Sequence, residues 1–248
     1  MQSNEKLLKN REYLRSNWDV LDLEVSDQAL KKPLPAMEKP IDRTRQLIPL
    51  VKKDEWKIKP VTLEQAILNR QSRRKYSKEP LTIEELSFLL YATQGVRKFT
   101  EKYTFRTVPS GGARHPFETY LFVWNVTGLE KGIYRYLPIA HMLYPEREYK
   151  RDMVKDLHEA TLEQFWDPAV YFIWTAIPYR TEWRYSSASA KLVALDAGHL
   201  CQNLYLACEA VSCGTCGIGA YDQKKCDSFV KADGKDEFVV YLAPVGKV

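Results

Sequence analysis

The chain has 248 residues, 45% of them apolar and 28% charged, with a net charge of +5. That composition suits a soluble globular protein with a full core, and no apolar run approaches the roughly 20 residues a membrane helix needs. The small, scattered positive excess suits an anionic cofactor or substrate but lacks the dense basic stripe of a nucleic-acid binder.

The opening Met1-Gln2-Ser3-Asn4-Glu5-Lys6 lacks the apolar core of a secretion signal, so a cytoplasmic location is expected. The five cysteines are an odd number without an export signal, which predicts free thiols. Leu7 to Trp18 reads as a short helix. Lys31 to Pro40 carries three prolines and cannot be helical, because proline removes a donor and clashes with the preceding turn. Residues 1–60 therefore read as an extended arm that wraps a neighbouring surface.

From Thr62 the chain alternates helix and strand. Thr62-Leu63-Glu64-Gln65 and Thr82-Ile83-Glu84-Glu85 are capping boxes. The second opens a helix with Leu86, Leu89 and Leu90 on one face, ended near Gly95. Strands are expected at 119–126, 132–137 and 141–144, and a helix at 151–165. Ala169 to Ala176 is a continuous apolar strand of the kind buried on both faces. Lys191 to Val211 reads as a long helix and 237–242 as the last strand. The pattern predicts an α+β sandwich with a mixed sheet.

Three loops and the C-terminus carry the functional signal. Asn69 to Tyr76 places Arg70, Ser72, Arg73, Arg74 and Lys75 together; guanidinium forks bind phosphate oxygens bidentately, and the alternative is a solvated basic turn. Pro109-Ser110-Gly111-Gly112-Ala113 lets a backbone approach a flat or phosphorylated ligand without Cβ clashes; alone it could be a tight turn before a strand. Gly214 to Asp222 is a second backbone-exposing loop, and Tyr241 to Lys247 is a strand ending in Gly-Lys. Cys213-Gly214-Thr215-Cys216 is formally a C-x-x-C, but it lies late in the chain and no second pair completes a zinc site, so no metal is expected. No Gly-x-Gly-x-x-Gly marks a separate nucleotide domain.

In this order and spacing the segments resemble the nitroreductase-like flavoprotein superfamily, and within it the SagB-type (thiazole/oxazole oxidase-like) dehydrogenase branch. The resemblance runs from about Leu63 to Lys247. It rests on Arg70, Ser72, Arg74 and Tyr76; on Pro109, Ser110, Gly112 and Ala113; on Gly132-Ile133-Tyr134-Arg135-Tyr136 with His141 and Leu143; and on Asp196, Gly198 and His199 followed by Gln202-Asn203. It implies a three-layer α+β sandwich with a mixed, mainly antiparallel sheet flanked by helices, with 61–248 as an FMN-binding domain. It also implies homodimers with two FMN sites at the subunit interface and NADH or NADPH as electron donor, donor and acceptor using one flavin face in turn.

By that resemblance Arg70 and Ser72 contact the phosphate, Lys247 adds a second phosphate cation, and Arg74 faces the pyrimidine edge of the flavin. Gly217, Ile218, Gly219 and Ala220 lie against the isoalloxazine. The loop of Pro109, Ser110, Gly111 and Gly112 comes from the partner chain, and the 191–211 helix forms the dimer core. His199 is expected as a buried structural imidazole. In azoline-oxidising members a Lys-Tyr pair stands where this chain has Arg184-Tyr185, acting as base and acid. Arg stays charged in any protein environment, and the Arg that often follows the pair is replaced by Ala190-Lys191. The flavin machinery thus reads as complete and the azoline machinery as incomplete. The expected activity is hydride transfer between NAD(P)H and a small organic acceptor, with azoline dehydrogenation of modified peptides, or flavin binding without turnover, as alternatives.

Overall fold

A computed structural model describes residues 4–16 and 18–248. The expectation placed on Met1–Ser3 lies outside the described residues, as does Asn17 of the predicted first helix.

That helix, α1, covers Asn4–Glu12, shorter than the sequence suggested. The arm then passes a single 3-10 turn at Trp18–Val20 and otherwise lacks regular structure up to a two-residue strand, β1 (Ile48–Pro49). The capping boxes form as expected. Thr62 opens α2 (Leu63–Asn69), and Thr82, at the end of β2 (Leu81–Thr82), opens α3 (Ile83–Gln94), which stops at Gly95. A hairpin absent from the sequence reading follows, β3 (Val96–Phe99) with β4 (Thr104–Arg106). Next come β5 (Phe117–Val123), β6 (Val126–Thr127), β7 (Gly132–Leu137) and β8 (Met142–Glu148). The chain continues through α4 (Met153–Ala160), β9 (Val170–Ala176), α5 (Tyr179–Tyr185), α6 (Ser189–Ala210), β10 (Cys213–Thr215), α7 (Gln223–Val230) and β11 (Phe238–Lys247).

The main sheet has seven strands in the order β1-β8-β7-β5-β9-β11-β10, every neighbouring pair antiparallel. Among the described residues, parallel pairing is confined to β2 with β6 and to a bridge between Ser72 and Thr215. Because side chains alternate across a strand, β5 sends Leu121 and Val123 to one face and Tyr120 and Phe122 to the other. Leu86, Leu89 and Leu90 of α3 and Leu200 and Leu204 of α6 cover the first face. Met153 and Leu157 of α4 and Phe229 and Val230 of α7 cover the second. The layers are helix, sheet, helix.

The strand expected at 119–126 ends at Val123, and the one expected at 141–144 runs to Glu148; three further expectations need correcting. The helix expected at 151–165 ends at Ala160: the Thr161 hydroxyl donates to the Leu157 carbonyl at 2.8 Å, and Leu162 and Glu163 turn to positive φ. The last strand runs to Lys247 rather than 242 because β9 and β10 both pair with it. Cys213 to Thr215 is strand, not loop. All five cysteines are free and buried. No helix among the described residues is long and apolar enough to cross a membrane.

Candidate functional site

The chain leaves α2 in an extended conformation at Arg70 and runs beside β10, where the Arg73 N–H donates to the Thr215 carbonyl at 3.0 Å. Tyr76 pins this segment; its hydroxyl donates to the carbonyls of Arg73 (2.8 Å) and Pro244 (3.2 Å). Its ring lies so close to Gly246 that a Cβ there would meet it at 2.7 Å. Arg70 is held with its guanidinium 5.4 Å from the Tyr205 ring, and the Ser72 hydroxyl lies 3.0 Å from the Tyr205 hydroxyl. That same hydroxyl accepts the Gly217 N–H at 2.8 Å.

Tyr205, which sequence reasoning missed, thus fastens the 70–76 segment to the 217–220 loop. An aromatic on a long helix gives no signal beyond ordinary packing. Arg74 is exposed and sits 5.5 Å over Trp166. Among the described residues neither Arg70 nor Arg74 is in an ion pair.

Ile218 exchanges both backbone hydrogen bonds with Leu242 (2.7 and 3.2 Å), which fixes the loop onto β11. Ala220 is exposed, its carbonyl accepting from Gln164 at 2.9 Å. Gly219 has open space where a Cβ would stand. It lines a cavity of about 1040 Å³ with Ala194, Gly198, Val240 and Tyr241. Lys247 does not join this group. Its ammonium is buried against Glu85 and donates to the Val211 carbonyl at 2.9 Å.

The Pro109–Ala113 loop is built on α6 as well. The Ser110 hydroxyl donates to Asp196 at 2.5 Å, the Gly111 N–H donates to the same carboxylate at 3.2 Å, and Ser110 accepts the His115 N–H at 2.9 Å. Burial pushes Asp196 up, and the bonds from Ser110 and Gly111 partly offset this. Gly112 adopts φ +56°, and a Cβ there would lie 2.4 Å from the Tyr185 hydroxyl and 3.2 Å from the Arg184 side chain. Arg184 lies 5.3 Å over the Tyr185 ring, and Trp18 meets that ring edge-on at 5.6 Å. The loop and the Arg184-Tyr185 pair therefore form one group.

Gly112→Ala should cost about 1–2 kcal/mol for the left-handed backbone and displace the phenol. Urea denaturation measures the first; an unchanged midpoint would mean that residue 112 adopts an ordinary conformation.

Asp196 and Tyr205 are nine positions apart on α6. That is about 13.5 Å along the axis and about two and a half turns, so the two groups leave the helix on opposite flanks. Between them runs an exposed stripe of Leu195, Gly198, His199 and Gln202. His199 is exposed, against the expectation of a buried imidazole; the apolar positions around it face the sheet while it faces outward.

Residues 67–247 match the family model described as the nitroreductase family. A Methanocaldococcus jannaschii protein carrying the name nitroreductase is 34% identical over 193 residues, which is 77% of this chain and 93% of that protein. The trifolitoxin-processing protein TfxB of Rhizobium leguminosarum bv. trifolii is 32% identical over 114 residues, 44% of this chain and 30% of TfxB. Among solved structures, one from Anabaena variabilis with the nitroreductase name has a TM-score of 0.63 at 29% identity, covering 75% of this chain; this chain spans 38% of that one's length. The Escherichia coli microcin synthetase McbBCD complex, solved with truncated pro-MccB17 bound, has a TM-score of 0.61 at 16% identity over 99% of this chain and 94% of that chain, a likeness of fold. By the span of the family match and the identity to its relatives, this chain belongs to the nitroreductase family of oxidoreductases.

Proposed function

We propose that the protein is an FMN-dependent oxidoreductase that works as a homodimer, moving hydride between NADH or NADPH and a small organic acceptor. The observation that carries this reading is the placement of the two groups on opposite flanks of α6. Within one chain the helix itself stands between them. Two copies packed along the Leu195–Gln202 stripe would bring the Arg70, Ser72 and Gly217–Ala220 group of one protomer against the Pro109–Ala113 loop of its partner. Gly198, which costs a helix interior about 1 kcal/mol, suits a close helix approach there.

The residues present fit FMN. Arg70 and Ser72 offer an unpaired guanidinium and an exposed hydroxyl to a phosphate, the donor set such a group takes bidentately. Arg74 offers a second free cation. The cavity beside Gly219 is of the size of a cofactor pocket, and Arg70 and Ser72 lie outside its lining. Lys247 supplies no phosphate contact in this reading, because Glu85 holds its charge. When bound, the flavin would accept and return the hydride, while Ile218 and Gly219 present backbone to it. Residues 61–248 form the FMN-binding domain and residues 1–60 the arm. Five buried free thiols accord with a reducing, cytoplasmic compartment.

Within the family we place the chain in the SagB-type branch, on its sequence motifs and its similarity to TfxB. Azoline dehydrogenation of modified peptides is the second reading; Tyr185 favours it and Arg184 opposes it.

The purified protein should be yellow, should release FMN on acid treatment, should bleach anaerobically with NADH or NADPH, and should scatter light as a particle of twice the chain mass. FAD, no flavin, or a flavin-saturated monomer would overturn the reading. Flavin that no nicotinamide bleaches would indicate binding without turnover. Arg70→Ala should weaken FMN binding by about 1.5–3 kcal/mol, the size of a hydrogen bond to a charged group, measured by fluorescence titration.

A further inference from the structure

A second cavity, of about 450 Å³, lies against the Pro109–Ala113 loop. Arg97, Arg106, Arg184, His115, Tyr103 and Phe105 line it, and no carboxylate does. Arg114 stands beside these residues, stacked between Tyr103 (5.2 Å) and Trp183 (5.3 Å). It is 6% exposed, and its Nε and Nη1 have no hydrogen-bond partner. None of these arginines is in an ion pair among the described residues.

Arg106 donates to Gln94 (2.8 Å) and Thr104 (3.2 Å), and the fields of Glu118 and Glu38 partly balance it. Arg97 donates its Nε to the Arg106 carbonyl at 2.9 Å and otherwise faces outward. Burial, then Arg106 and Arg114, hold His115 down to about 3, so its imidazole is neutral and adds no charge.

No carboxylate lines the cavity, so a ligand of opposite charge would relieve the mutual repulsion of the guanidiniums that do. Guanidinium forks match a carboxylate bidentately, and the Tyr103 and Phe105 rings suit a flat apolar body behind it. Arg184 connects this cavity to Tyr185, so a small ligand anchored here extends toward the candidate site.

We propose that the cavity takes the carboxylate of a small aromatic acceptor, making the protein selective for anionic over neutral acceptors. The word acceptor rests on the oxidoreductase reading; the anion site does not.

The test uses 4-nitrobenzoate and its neutral counterpart 4-nitrobenzamide on the dimeric protein as isolated. Calorimetric titration should show the carboxylate binding about tenfold or more tighter than the amide, the scale of one charge-assisted hydrogen bond. Arg97→Gln should remove most of that preference while leaving amide binding, melting temperature and flavin content unchanged. Arg97 is exposed and lies outside the proposed flavin contacts, so the variant should fold. Equal binding of the two probes, or a preference that survives Arg97→Gln, overturns the proposal. A loss of flavin in the variant also overturns it, since the anion would then be the flavin phosphate. Preferential binding without NADH-dependent reduction supports the anion site and sinks the oxidoreductase reading instead.

Discussion

Glu118→Ala is expected to lower folding stability by about 3–5 kcal/mol, the usual cost of removing one partner from a buried ion pair. Glu118 lies in the middle layer, 2% exposed. Its carboxylate accepts from Arg180 at 2.5 Å, from Arg135 at 3.3 Å and from the Lys39 N–H at 2.8 Å. Alanine would leave two buried guanidiniums facing a void. It would also loosen the arm, because Arg135 holds the Lys39 and Pro40 carbonyls at 2.8 and 2.9 Å. Lys39 in turn reaches Glu237 at 2.5 Å.

The same group gives a pH dependence. Burial pushes Glu118 up, but Arg180 and Arg135 more than reverse this, so its folded value lies below the ordinary value of 4.5. A lowered folded value means stability that is complete above 4.5 and lost as pH falls through the folded value. Urea midpoints of the wild type should therefore fall in acid more steeply than those of Glu118→Gln. A Glu118→Ala protein within about 1 kcal/mol of wild type would mean that the arm and network contribute little.

How much of this was legible depends on the range of the interaction. The Thr82–Glu85 capping box, the Gly95 stop and the apolar run of β9 are local patterns, and all were readable. The Arg70–Tyr76 and Gly217–Ala220 segments were also visible, as runs of unusual composition. Tyr205, which joins them, was not, because Ser72 lies 133 positions away and nothing in a helical Leu-Tyr-Leu marks its hydroxyl. Prolines showed that the arm is not helical, yet its seat on Glu118 and Arg135 depends on partners about 80 to 96 positions distant. Strand β10 read as loop because it is three residues long with a glycine at its centre, and glycine has weak strand preference; pairing with β11 decides it. Lys247 was legible as a cation, but only the fold shows that Glu85 has claimed it.

Tyr185→Phe should separate the two halves of turnover. The phenol rests on Gly112 beside Arg184 and Trp18, within the group that would face a partner's flavin. Oxidation of a nicotinamide requires only stacking and hydride donation, so anaerobic NADH or NADPH oxidation should stay within a few-fold of wild type. A phenol that donates or takes a proton toward the second substrate contributes about 10²-fold or more, and turnover with a proton-requiring acceptor should fall by that amount. Arg184→Lys is the complementary variant. A lysine can lose its proton where an arginine cannot, so if Arg184 is what disables azoline chemistry, the variant should gain slow dehydrogenation of a thiazoline-containing peptide, read by mass loss of two hydrogens. Wild-type protein that already dehydrogenates such peptides would show that a fixed cation at position 184 is compatible with azoline oxidation, and that Tyr185 or another group acts as its base.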